Sequence, residues 1–139
     1  MITAGDLMTK DVISVKKETP IFEALMLLRK HDITGMPVVD DDMIVIGIIT
    51  EKDALGLCTA ISYDRNETVA SFMTKPAVSF GEDESLNSVC EILMVKHFRR
   101  VPVVSAKGKL VGIISRPDII DHILLQQQII TVENARYNC

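Results

Sequence analysis

Two short stretches carry the residue types that could hold a phosphorylated ligand: "GIITEKD" from Gly47 to Asp53 and "GIISRPD" from Gly112 to Asp118. Each ends an apolar run in a hydroxyl residue, Thr50 or Ser115, with an aspartate three positions on. At the start of a helix such a hydroxyl faces free amides with partial positive charge, which favour a phosphate. The aspartate one turn in can accept hydrogen bonds from both hydroxyls of a ribose, and the glycine lets another backbone come close. The same spacing also fits a capping box, which stabilises a helix by about 1 kcal/mol and binds nothing. Spacing alone leaves both readings open.

A cationic partner for a phosphate is present in Arg99-Arg100, just before the strand that begins Val101-Pro102. A guanidinium fork suits phosphate oxygens, although adjacent arginines also serve as solvated surface. Nothing in the chain reads as an active site. His31, His97 and His122 form no ligand spacing and no triad, and Cys58, Cys90 and Cys139 are odd in number with no C-x-x-C pair. Neither a metal site, a disulfide frame nor a cofactor is therefore expected. Asp40-Asp41-Asp42 lacks the other ligands of a calcium loop and reads as a solvated hairpin turn.

The elements that must position these residues follow from a repeat. Shifting the sequence by 65 residues, from Gly47 to Gly112, aligns Thr3 to Leu55 with Thr68 to Ile120 without a gap. Identical pairs include Met8 and Met73, Thr9 and Thr74, Pro37 and Pro102, and Asp53 and Asp118. Such units usually bury their apolar faces against each other. A chain of 139 residues suits that solution, because a unit of about 60 residues is marginal alone. We expect repeats at 1–62 and 68–128, a linker at 63–67 and a tail at 129–139.

Each unit reads as β-α-β-β-α. A helical turn capped by Thr3 or Thr68 precedes a short strand, Val12 to Val15 or Ala77 to Phe80. Thr19 then caps a helix with Pro20 at its first position, whose stripe is Ile21, Ala24, Leu25 and Leu28; its partner shows Leu86, Val89, Cys90 and Leu93. Two β-branched strands follow, and the second runs into a final helix, Glu51 to Ile61 or Arg116 to Gln128. Phe22, Met26 and Leu27 on one long helix, and Ile92, Met94 and Val95 on the other, lie outside these stripes. A second buried face, and so a homodimer, is expected.

Composition narrows the function. Hydrophobic residues make up 47% and charged residues 24%, with no Trp, as expected of a soluble protein with an aliphatic core. No apolar run approaches the roughly 18 residues that span a bilayer, and the start resembles no leader, so a cytoplasmic protein without membrane contact is expected. A net charge of −4 argues against nucleic acid as a partner.

The element order, the "LMTKDVISV" opening, the "PVVD" strand and the "G-h-h-T/S-x-x-D" ending resemble the CBS domain, named for cystathionine β-synthase, here in tandem. The resemblance covers nearly the whole chain. It implies an α/β fold of two β-α-β-β-α repeats packed with pseudo-two-fold symmetry, and a non-catalytic regulatory module with clefts between the repeats for adenosine-type ligands. AMP, ADP, ATP or S-adenosylmethionine would bind, and a regulated protein partner would read the result. A ligand-free dimerisation scaffold is the alternative.

Carried onto this sequence, the resemblance implies one cleft formed by Val12, Ile13, Thr34, Gly35, Pro37, Ser115, Arg116 and Asp118, with Arg99 and Arg100 at its phosphate end. The other cleft would use Thr50, Lys52, Asp53, Ala77, Val78 and Pro102, with Lys52 as its local cation. Since Thr34-Gly35 stands in the first repeat where Arg99-Arg100 stands in the second, the clefts are expected to differ.

Overall fold

The computed structural model describes residues 1–59, 66–96 and 98–127. Linker residues 63–65, the helix ends expected at Ile61 and Gln128, His97, and the tail 129–139 with Cys139 lie outside the described residues.

The first half contains α1 (Ala4–Leu7), β1 (Val15–Lys16), α2 (Ile21–Lys30), β2 (Gly35–Val39), β3 (Val45–Thr50), α3 (Glu51–Ala54) and α4 (Gly56–Thr59). The second contains a 3-10 turn (Val69–Ser71), β4 (Phe80–Gly81), α5 (Leu86–Lys96), β5 (Arg100–Val104), β6 (Leu110–Ser115) and α6 (Arg116–Gln126). Each half forms a three-stranded sheet, β1-β2-β3 or β4-β5-β6, with the first pair parallel and the second antiparallel. Registers repeat at the same offset: Gly35 faces Thr50 as Arg100 faces Ser115. The expected α/β architecture of two repeats is the one observed.

Local chemistry explains most boundaries. In the β2–β3 turn the Asp40 carboxylate accepts from the amides of Asp42 and Ile44, both at 2.9 Å, and Ser105 plays that part toward Lys107 and Lys109. Asp41 pairs instead with Lys16 at 2.7 Å. This hydrogen-bonded pair holds the Asp41 carboxyl below its ordinary range and raises the Lys16 ammonium. Thr19 does not cap α2: its hydroxyl accepts from the Lys16 amide at 3.1 Å, and Pro20 occupies the position before the helix. The single helix expected after Thr50 is two short ones, α3 and α4, parted at Leu55. The strands expected at Val12 and Ala77 begin later, at Val15 and Phe80.

The two halves exchange their opening segments. The amides of Ala4 and Gly5 donate to Glu84 and Glu82 in the other half, as those of Val69 and Ala70 donate to Thr19 and Lys17. One core therefore joins Ile21, Ala24, Leu28, Met36, Val38 and Ile49 with Val69, and is flanked by Phe72 and Met73. The other joins Phe80, Val89, Leu93, Val101, Val103 and Ile114 with Ala4, and is flanked by Leu7 and Met8. Thr9 and Ile113 exchange amide-to-carbonyl bonds of 2.9 Å each way, and Thr74 and Ile48 do the same at 2.8 and 2.9 Å. The bridge between Ile44 and Lys109, which are each other's counterparts, marks the pseudo-two-fold axis.

This exchange also explains the paired glycines. A Cβ on Gly47 would lie 2.9 Å from the Thr74 carbonyl oxygen, and one on Gly112 would lie 2.7 Å from Met8 Cγ. The close approach that the glycines permit is thus made by the Met-Thr of the opposite half.

Candidate functional site

Both hydroxyl–aspartate pairs form capping boxes. Thr50 donates its amide (2.9 Å) and hydroxyl (3.0 Å) to Asp53 Oδ2, while Asp53 donates its own amide back to the Thr50 hydroxyl. Ser115 and Asp118 repeat the pattern at 2.8 and 2.9 Å. The second carboxylate oxygen serves the interface between the halves: Asp53 Oδ1 accepts from the Thr74 hydroxyl at 3.0 Å and Asp118 Oδ1 from the Thr9 hydroxyl at 3.2 Å. Each aspartate therefore closes its helix start and latches the opposite half to it. The helix starts are held rigidly beside the space between the sheets.

Two cavities open there among the described residues. The larger, about 630 Å³, has apolar walls from both halves, including Met36, Pro37, Ile48, Val101, Pro102 and Ile113. Its polar lining consists of Thr34, Thr50, Glu51, Lys52, Thr74, Arg99 and Arg100. This volume lies in the range of about 300–1,000 Å³ typical of small-molecule sites. The smaller, about 310 Å³, is bordered by Thr34, Arg99, Arg100, Ser115, Arg116 and Pro117.

The expected site residues are distributed accordingly. Thr50, Lys52, Ala77, Val78 and Pro102 line the larger cavity, joined there by Thr34, Gly35, Pro37, Arg99 and Arg100. Ser115 and Arg116 line the smaller with Thr34 and the arginine pair. Val12, Ile13, Asp53 and Asp118 line neither; all four are half-buried, and Ile13 packs on the first core. The arginine pair, expected at the Ser115 cleft alone, borders both cavities, and the greater space lies on the Thr50 side. Phe98 and Pro76 in the larger cavity are additions to the expected set. Their signal was present in the sequence, since Pro76 directly precedes Ala77 and Phe98 directly precedes Arg99.

Among the described residues no cluster of three His, Cys, Asp or Glu side chains is placed to hold a metal, and no helix is long and apolar enough to cross a membrane.

The comparisons with known proteins agree with this architecture. The family model for the CBS domain matches residues 4–59 and again 69–125. The chain belongs to the CBS-domain family, as a tandem pair. It is similar to CBSX1 of Arabidopsis thaliana, a chloroplastic CBS domain-containing protein, with 32% identity over 85% of this chain and 62% of that one. An inosine-5'-monophosphate dehydrogenase of Methanocaldococcus jannaschii is 32% identical over 84% of this chain. The chain spans 23% of that enzyme and 62% of CBSX1, less than two thirds of either. Among solved structures, CBSX2 in complex with AMP superposes with a TM-score of 0.83, at 31% identity, over 91% of this chain and 99% of that one. The CBS pair of MJ0100, in complex with 5'-methylthioadenosine and S-adenosyl-L-methionine, gives 0.74 at 28% identity, over 88% and 96%.

Proposed function

We propose that the chain is a cytoplasmic, non-catalytic regulatory module that binds an adenine nucleotide between its repeats and passes that event to a partner protein or through its own dimer. One observation carries the reading: a cavity of about 630 Å³ with largely apolar walls is also lined by Thr50 and by three cations, Lys52, Arg99 and Arg100, against one acid, Glu51. An aromatic base suits the walls and a phosphate suits the cations. The AMP complex of CBSX2 supports the choice of ligand. MJ0100 supports S-adenosylmethionine as the second reading, but the sulfonium of that ligand is a cation, and three cationic side chains favour a phosphate over it.

A thermal-shift series with AMP, ADP, ATP and S-adenosylmethionine tests the reading. At 100 times the dissociation constant a ligand adds about 2.7 kcal/mol, which raises the melting temperature of a chain this size by roughly 5 to 15 °C. Flat curves across the series would replace the sensor by the scaffold reading, in which the hydroxyl–aspartate pairs serve only as caps and latches.

The dimer rests on the counterpart helices α2 and α5. Met26 on α2 and Met94 and Val95 on α5 are 71, 74 and 70% exposed, whereas Leu27 and Ile92, also expected outside the core stripes, pack against the two cores. Large exposed apolar side chains on paired helices suit a second copy of the same surface. Light scattering at micromolar concentration is expected to give twice the mass of the chain, and the mass of a single chain would exclude this route of signalling.

A further inference from the structure

The helices of the two halves are counterparts under the repeat offset, but their exposed faces are not alike. On α6, Ile120, Ile123 and Leu124 share one stripe at i, i+3 and i+4, and they are 53, 50 and 61% exposed. α6 meets its own core through Ile119, which leaves half or more of each of these three side chains uncovered. The counterpart positions of the first half hold Leu55, Cys58 and Thr59. On α5 the exposed Met94 and Val95 stand where α2 has Arg29 and Lys30, which are exposed as well. The two apolar faces of the second half adjoin: Arg116, the first residue of α6, donates through Nη2 to the carbonyl oxygen of Leu93, the residue before Met94, at 3.5 Å.

A second copy of the chain can cover such a surface about a two-fold axis in two ways. Head to head, the α5 and α6 face meets the same face of the other copy, and α2 meets α2. Head to tail, it meets the first half of the other copy, so that every place filled by Met94, Val95, Ile123 and Leu124 in the first arrangement is filled by Arg29, Lys30, Cys58 and Thr59. Two cations would then be taken out of water against apolar side chains, which costs stability unless each is paired. Glu91, which stands where α2 has Met26, can answer only one of them. Head to head, the apolar residues of the second halves meet one another. Arg29 and Lys30, in the last turn of α2, keep their charges in water at the ends of long stems. We infer that a second copy docks head to head, second half on second half, with Ile120, Ile123 and Leu124 of α6 and Met94 and Val95 of α5 as the apolar centre of the contact. The inference rests on the dimer reading above and adds to it a further surface, α6, and the direction of the partner.

Light scattering at micromolar concentration on the parent, Leu124→Asp, Leu124→Lys, an equal mixture of these two, and the double variant Thr59→Lys/Leu124→Asp tests this. The parent is expected to have twice the mass of the chain. Leu124→Asp and Leu124→Lys are each expected to fall to the mass of one chain, since like charges then meet in the contact. The mixture is expected to recover twice that mass, because each aspartate faces a lysine, and chains that had failed to fold would not recover. The double variant is expected to stay a single chain, because head to head its aspartates meet each other and so do its lysines. A Leu124→Asp variant that remains a dimer, or a mixture that remains single chains, would overturn the inference. Recovery in the double variant instead of the mixture would replace it by the head-to-tail arrangement. These outcomes leave the dimer reading standing, whereas a parent with the mass of a single chain removes both.

Discussion

Arg100→Ala is expected to weaken AMP and ATP binding by roughly 10- to 150-fold, the equivalent of one hydrogen bond to a charged group, and to leave adenosine binding unchanged. Arg100 is the first residue of β5, where the antiparallel pairing fixes it opposite Ser115. It is half-buried and borders both cavities, the one that Thr50 lines and the one that Ser115 lines. Adenosine offers no phosphate and loses no partner. Asp118→Ala makes an informative contrast, because its carboxylate caps α6 and accepts from Thr9 of the other half. Its loss is expected to lower the melting temperature, and any loss of affinity through the ribose has to appear equally for adenosine and ATP. Calorimetry on the three ligands separates the two variants. If Arg100→Ala binds AMP and ATP as the parent does, the arginine pair is surface and not a phosphate clamp.

Phe80→Ala is expected to cost about 3–5 kcal/mol of stability, against a total of roughly 0.05–0.15 kcal/mol per residue. Phe80 is fully buried in the core with Val89, Leu93, Val101, Val103 and Ile114, and it pairs in register with Val103. Truncation leaves a cavity between the sheet and α5 that rigid neighbours fill only in part. The counterpart position holds Val15, also buried, so Val15→Ala removes less side chain and is expected to cost less. Urea unfolding of both variants checks the pair. A Phe80→Ala midpoint equal to that of the parent would mean that this core rearranges far more freely than its packing implies.

The repeat made much of the fold legible. One offset placed both sheets, both long helices and both capping boxes, because alternation on strands and stripes on helices are local and survive in each copy. What it could not show is which copy pairs with which. Thr9 bonded to Ile113, or to its counterpart Ile48, would leave the same trace in an ungapped self-alignment, so the exchange of the opening segments had no sequence signal. The same blindness affected the site. Spacing linked Thr50 with Asp53 and Ser115 with Asp118, but gave no hint that the second carboxylate oxygen of each would be taken by Thr74 or Thr9. The resemblance, carried over residue by residue, placed Arg99 and Arg100 at the phosphate end of one cleft, and only the folded chain brings them to the border of both cavities. The break of the helix at Leu55 was missed for a different reason: Gly56 is a weak helix former, and its effect depends on whether tertiary packing overrides it.

The exchanged opening segments set an order of events during synthesis. The first nine residues have their partners at Glu82, Glu84 and Ile113, so the amino-terminal turn emerges from the ribosome long before the surface it belongs to. The first sheet waits in turn for Val69 to Met73 to complete its core. Neither half is then a self-sufficient folding unit, and the two close as one cooperative body only after the second has been synthesised. The same geometry suggests a history. A single-repeat ancestor could have made every one of these exchanges with a second copy of itself, and joining two copies end to end turned an association between molecules into one within a molecule, with an effective concentration set by the linker. Once the copies were fused, each was free to change alone, and an acid could come to stand at one helix start where an arginine stands at the other.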